Sequence, residues 1–141
     1  MLLAIDPGEN TGWALFFESN LLACGLGSVP DDAVPTEPFN AVIEHPMIYP
    51  GGRNRGDPND IVKLAVKAGE IAGCLKCSGA SVRYVKPYEW KGQTPKHISA
   101  ARTRGKLSDA ERGILAAVDC APGKMHNILD AVGIGLFALG R

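Results

Sequence analysis

The sequence predicts an α/β fold built on a mixed β-sheet. Three observations carry this. Short apolar runs, each ending at turn residues, recur through the first 44 residues and read as strands. An amphipathic stretch over residues 60–77 lies between two further runs, giving a strand–helix–strand unit, and such units pair their strands in parallel. After residue 94 the apolar residues recur at helical rather than strand spacing.

The first strand is Leu2-Leu3-Ala4-Ile5-Asp6. A continuous apolar run reads as a strand buried on both faces. Pro7 lacks an N–H and Gly8 has a permissive backbone, so the strand ends at Asp6. Trp13-Ala14-Leu15-Phe16-Phe17 is the second strand, and Leu21 to Gly27 the third. The turn cluster Glu18-Ser19-Asn20 between them predicts an antiparallel meander. Residues 28–38, with Pro30, Pro35 and Pro38, read as a connection. Phe39 to Glu44 is the fourth strand, stopped by Pro46.

Residues 45–60 hold Pro46, Pro50, Pro58, Gly51, Gly52 and Gly56, and predict a long loop that meets the substrate, with Arg53 and Arg55 as phosphate contacts. Asp57-Pro58-Asn59-Asp60 opens the first long helix. Ile61, Leu64, Ala65, Ala68, Ile71, Ala72 and Leu75 form one apolar stripe. Val62, Val66, Gly69 and Gly73 form a second, narrower one. One stripe covers the sheet. The other, with small residues, lets a second helix approach, and a two-fold copy of the chain is the simplest source of that helix. Ser81 to Val85 is the fifth strand, closed by Pro87. Pro87-Tyr88-Glu89-Trp90-Lys91-Gly92 sets two aromatics beside lysines, an arrangement that stacks on bases or anchors a loop to the core. Three helices follow: Lys96 to Arg104, interrupted by Gly105; a second opened by the capping box Ser108-Asp109-Ala110-Glu111; and His126 to Leu139.

The chain has 141 residues, enough for one domain, and a chain of this size buries about 70% of its unfolded surface. A 45% hydrophobic fraction supports a packed core. No apolar run approaches the roughly 20 residues that span a bilayer, and no basic, apolar, small-residue order marks a signal peptide. A soluble cytoplasmic protein is expected. Of four cysteines, Cys74 and Cys77 form a C-x-x-C, but no second pair completes a zinc site. They read as two small core residues on a helix.

Charge is uneven although the formal net charge is zero. Residues 1–44 contain seven acids and no Lys or Arg, whereas residues 83–106 contain seven bases and one acid, Glu89. An acidic part beside a basic one suggests metal binding next to polyanion binding. Lys86, Lys91, Lys96, Arg102, Arg104 and Lys106 are the expected DNA phosphate contacts, with Tyr88 and Trp90 as aromatic contacts.

Three acids, Asp6, Glu44 and Asp130, sit among core residues with no basic neighbour in sequence. A carboxylate in that setting is costly unless paired, protonated or bound to a cation. Two come from strand ends and one from a helix, where His126, Asn127 and Asp130 share a face. Hard cations such as Mg²⁺ or Mn²⁺ take oxygen ligands, and a carboxylate cluster holds two of them about 3.5–4 Å apart for phosphodiester hydrolysis.

As a set, Ile5-Asp6-Pro7-Gly8-x-x-Thr11-Gly12-Trp13-Ala14, Val42-Ile43-Glu44, Val85-Lys86-Pro87, Trp90-Lys91-Gly92 and His126-Asn127-x-x-Asp130-Ala131 resemble a RuvC-type Holliday junction resolvase of the RNase H-like superfamily, in its compact bacteriophage form. The resemblance runs from residue 2 to residue 140 in order, so it implies a single RNase H-like nuclease domain over 1–141. It implies a five-stranded mixed sheet in order 3-2-1-4-5 with helices on both faces. It also implies a homodimer that cuts two strands of a four-way DNA junction with Mg²⁺ or Mn²⁺, with Asp6, Glu44 and Asp130 as metal ligands.

The chain departs from the family at Asn127, where an acid or a histidine is usual, and His126 stands next to it. An amide can donate one oxygen to a metal but lacks a carboxylate's charge. Three accounts fit: a native weak ligand, replacement by His126, or an Asp→Asn exchange that binds substrate without cutting it. Other functions compatible with the residues are a nuclease acting on RNA–DNA hybrid or flapped DNA, and a junction-binding protein with an impaired site. An actin-like ATPase would need two such domains.

Overall fold

The computed structural model describes residues 1–48 and 57–141. Its centre is a five-stranded sheet in the order β3-β2-β1-β4-β5, with β1 Leu2–Asp6, β2 Gly12–Phe17, β3 Asn20–Leu26, β4 Phe39–Glu44 and β5 Ala80–Val85. β1, β2 and β3 form the antiparallel meander, and β1–β4 and β4–β5 are parallel. The strand–helix–strand reading therefore holds. Leu3, Ala4, Ile5, Ala41, Val42 and Ile43 are fully buried, as central strands covered on both faces require.

The helices are α1 Pro58–Cys77, α2 Pro87–Trp90, α3 Lys96–Lys106, α4 Asp109–Ala116 and α5 Met125–Ala138. α1 covers one face with Ala68, Ala72 and Leu75, packing on Leu3, Ile5, Leu15 and Ile43. α5 covers the other face, where Ile128, Leu129, Val132 and Leu136 meet Ala4, Ala14, Phe16 and Val42. The side chain of Asp57 accepts the Asn59 N–H at 2.9 Å and starts α1, as an Asx cap does. Ser108 and Glu111 form the expected capping box of α4. Among the described residues no helix is long and apolar enough to cross a membrane.

Three expectations are corrected. α3 does not stop at Gly105 but continues to Lys106. Burial of Ser99, Thr103 and Leu107 holds its ends, outweighing the roughly 1 kcal/mol that glycine costs inside a helix. Cys74 and Cys77 are not core residues, because they flank the inward-facing Leu75 and so turn outward into solvent. Pro87–Trp90, read only as a loop segment, forms a helical turn in which the Glu89 carboxylate accepts the N–H of the capping residue Lys86 at 2.6 Å.

Candidate active site

Asp6 ends β1 and Glu44 ends β4. These strands are parallel neighbours paired at Ile5–Ile43, so the two acids leave the sheet side by side. Both alternate with residues packed under α5, which places them on the α5 face. α5 delivers Asp130 to the same end. It approaches so closely that a Cβ on Gly12 would overlap the Asn127 carbonyl. Gly12 is thus the residue that lets the start of β2 and the first turn of α5 come together.

Lys91, just past α2, completes the group. Its ammonium lies 3.2 Å from Glu44 Oε2 and 3.9 Å from Asp130 Oδ2, with all three side chains largely buried. Trp90 donates its indole N–H to the same Glu44 Oε2 at 2.6 Å. The Lys91 ammonium also lies 4.7 Å from the Trp90 ring centroid, within cation–π reach. No basic residue is adjacent to these acids in sequence, but the fold supplies Lys91 to Glu44 and Asp130. Lys91 stands far from both in sequence, so adjacency could not reveal it.

The electrostatics follow from burial and mutual repulsion. Burial raises the pKa of Asp6 well above the usual carboxylate range, and the nearby charges of Glu44 and Asp130 raise it further, against the opposing pull of Lys91 and Lys96. Burial likewise raises Asp130, with Lys91, Lys96 and His126 pulling down. For Lys91, burial works against the charge, but Glu44 and Asp130 outweigh it and hold the ammonium firmly protonated. The cluster is an anionic site that retains a cation.

Among the described residues no three His, Cys, Asp or Glu side chains converge into a ready-made cation cage. The donor chemistry nevertheless fits a hard divalent ion. Asp6, Glu44 and Asp130 offer oxygen ligands from two strands and a helix, Asn127 offers an amide oxygen, and the Lys91 ammonium sits among the acids as a stand-in cation.

The other residues singled out from sequence are spread more widely. His126 is exposed and Asn127 half-buried at the start of α5. Lys96 lies within electrostatic range of Asp6 and Asp130. Lys86 and Tyr88 are exposed and pair with each other, ammonium over ring at 5.7 Å. Arg102, Arg104 and Lys106 are exposed on α3. Arg102 donates to Thr94 Oγ1, and Lys106 donates to the Arg141 carbonyl. Arg53 and Arg55 lie outside the described residues. Lys91 and Trp90, expected from sequence as DNA contacts, are both engaged with Glu44 in this structure. A Trp-Lys pair beside a helical turn was visible, but nothing local linked it to an acid 46 positions earlier.

The strand order 3-2-1-4-5, with helices on both faces, defines a RuvC-like fold of the RNase H-like type. Among solved structures, the fowlpox virus resolvase in complex with substrate Holliday junction DNA superposes with a TM-score of 0.54 at 17% identity, covering 99% of each chain. Thermus thermophilus RuvC superposes at 0.51 and 17% identity, covering 96% of this chain and 90% of that one. The same protein in complex with Holliday junction substrate gives 0.51 and 18%. No protein-family model matches the sequence, and no curated protein does.

Proposed function

We propose that this chain is a metal-dependent endonuclease that resolves four-way DNA junctions, its nuclease domain spanning residues 1–141. The observation that carries the reading is the gathering of Asp6, Glu44 and Asp130, remote in sequence, around one ammonium at the end of the sheet. The fold supports it, because resolvases solved with junction DNA share the architecture.

Asp6, Glu44 and Asp130 would hold Mg²⁺ or Mn²⁺, with Asn127 as a neutral fourth donor. Bound there, two such ions would supply an activated water and stabilise the leaving oxygen. In the hydrolysis the attacking water would give up one proton and form the new P–O bond, the old P–O ester bond would break, and the departing oxygen would take up a proton. Lys91 balances the acids and offers a positive group to the phosphate. His126, exposed one turn before Asp130, would exchange a proton at the mouth of the site. Lys86, Lys96, Arg102, Arg104 and Lys106, together with Arg53 and Arg55, would hold the DNA backbone, with Tyr88 at the rim.

Junction resolution needs two cuts, and a two-fold dimer supplies two sites. α1 would present the surface for it. Val62 is 59% exposed and Val66 58%, next to the exposed Gly69 and Gly73.

The test compares a synthetic four-way junction with linear duplex and RNA–DNA hybrid at low salt, with Mg²⁺, Mn²⁺ or chelator. Paired, metal-dependent nicks in the junction alone are expected. Cutting of hybrid in preference to junction would replace the reading with another RNase H-like nuclease. Asn127 favours one second reading, a protein that binds junctions with a weakened site, because an amide brings no charge to the metal. Asn127→Asp is therefore expected to raise the metal-dependent rate, by about 10-fold or more. An unchanged rate would show that Asn127 does not limit catalysis.

A further inference from the structure

We propose that Trp90 is a positioning residue for Glu44, fixing the orientation in which that carboxylate meets the metal. The inference rests on the nuclease reading above and adds a role for an indole that the acid cluster does not by itself require.

Three contacts define the role. The indole N–H donates to Glu44 Oε2 at 2.6 Å, and Lys91 Nζ reaches that same oxygen at 3.2 Å. Both described donors therefore fall on one oxygen, Oε2, which fixes the rotation of the carboxylate. The ring itself cannot shift easily. It is wedged against α5, where a Cβ on Gly133 would stand 2.6 Å from Trp90 Cζ3 and 3.0 Å from Thr103 Oγ1. Gly133 lies one turn after Asp130, so the residue that orients Glu44 also abuts the helix that carries Asp130. Finally, Trp90 ends α2 and Lys91 follows it, the turn closed by the Lys91 N–H donating to the Pro87 carbonyl at 3.0 Å.

The physical reason is general. A free glutamate side chain samples several rotations about its last torsion, and ligation must freeze them. Groups that hydrogen-bond a metal ligand set its orientation in advance, and losing one weakens metal affinity or activity by about 10–100-fold. An aromatic that only wedged between bases would have no need of a 2.6 Å bond to an acid.

The test replaces Trp90 with β-(3-benzothienyl)alanine, which keeps the ring shape and puts sulfur where the N–H was. Mn²⁺ affinity of the DNA-free protein is read by electron paramagnetic resonance, junction affinity in Ca²⁺, and cleavage under single-turnover conditions. The expected result is unchanged thermal stability and junction affinity, with Mn²⁺ binding weakened about 10–100-fold. Cleavage should fall at low Mn²⁺ and recover as Mn²⁺ is raised. Mn²⁺ affinity within about twofold of the native chain, with junction cleavage intact, would overturn the role of Trp90 alone. A native chain that binds Mn²⁺ but leaves junctions uncut would overturn the resolvase reading and leave Trp90 in place. A native chain that binds no Mn²⁺ would overturn both.

A second measurement needs no substitution at Trp90. The chain has two tryptophans, Trp13 and Trp90, so its indole N–H groups give two nuclear magnetic resonance signals. The Trp13 indole N–H is buried with no partner among the described residues, so it serves as the internal reference. The Trp90 signal should lie downfield of it, respond to Mg²⁺, and move upfield in Glu44→Gln, while that of Trp13 stays put. A Trp90 signal indifferent to both Mg²⁺ and Glu44→Gln would overturn the proposal.

Discussion

Asp6 shows at the scale of one residue how a buried group of acids opposes stability. Its carboxyl is buried beside two other acids, and its pKa is raised for that reason. At pH below the ordinary carboxylate range Asp6 is protonated in both folded and unfolded chains, and the site costs nothing. As pH rises, the unfolded chain ionises first, so this site withdraws stability until the raised folded pKa is passed. Asp6→Asn removes the penalty. The variant should be more stable than the native chain at pH 7 by roughly 0.5–2 kcal/mol, with the gap closing in acid. Urea denaturation at pH 7 and at pH 4 checks this, and the variant should bind no Mn²⁺. A variant less stable than the native chain at neutral pH would mean that Lys91 and Lys96 already neutralise the cluster.

At the scale of elements, the contacts that join helices to the sheet are polar as well as apolar. Glu111 of α4 is buried. It accepts the Leu21 N–H of β3 at 2.9 Å and the Ser108 N–H at 2.8 Å, and it forms a two-pronged pair with the Arg141 guanidinium at 2.7 and 3.0 Å. The Arg141 bonds are the main reason its pKa is lowered to about 2, with the backbone N–H groups adding to them against the effect of burial. A lowered acid contributes stability above its unfolded pKa and loses it as pH falls toward the folded one. The contribution is thus whole at neutral pH and drains away between the ordinary 4.5 and about 2. Arg141 remains 27% exposed, so solvent screening holds the value to roughly 2 kcal/mol. Glu111→Gln should cost about that much at pH 7 and little near pH 2. Thermal melts across this range decide it, and a pH-independent loss would assign the effect to packing instead.

For the whole molecule, the outer side of α1 carries an exposed apolar stripe. Val62 and Val66 are more than half exposed, beside two glycines that leave the helix backbone open to close approach. A dimer through this stripe predicts that sedimentation finds a two-chain species at micromolar concentration. Val66→Asp should shift it to one chain while leaving Mn²⁺ affinity unchanged, because α1 lies on the face of the sheet opposite the acids. Native chains that sediment as monomers would end the dimer reading. Junction binding by Val66→Asp should then yield single nicks rather than paired cuts.

The elements were legible in the sequence because each is specified locally. The apolar run into Asp6, the Asx start at Asp57 and the capping box at Ser108 are patterns within a few residues, and each came out where the pattern put it. The three acids were legible for a related reason, since a charge beside core residues is conspicuous wherever it lies. What tertiary structure alone decided was partnership. Lys91 and Trp90 meet Glu44 across 47 and 46 positions because parallel strands and a short helical turn bring them together, and no periodicity encodes that distance. Gly105 stays helical because its neighbours on α3 are buried, and Cys74 and Cys77 face water because Leu75 takes the inward direction. Local pattern sets which face of an element is apolar, and the packing of the whole chain sets what that face, and each charge near it, will touch.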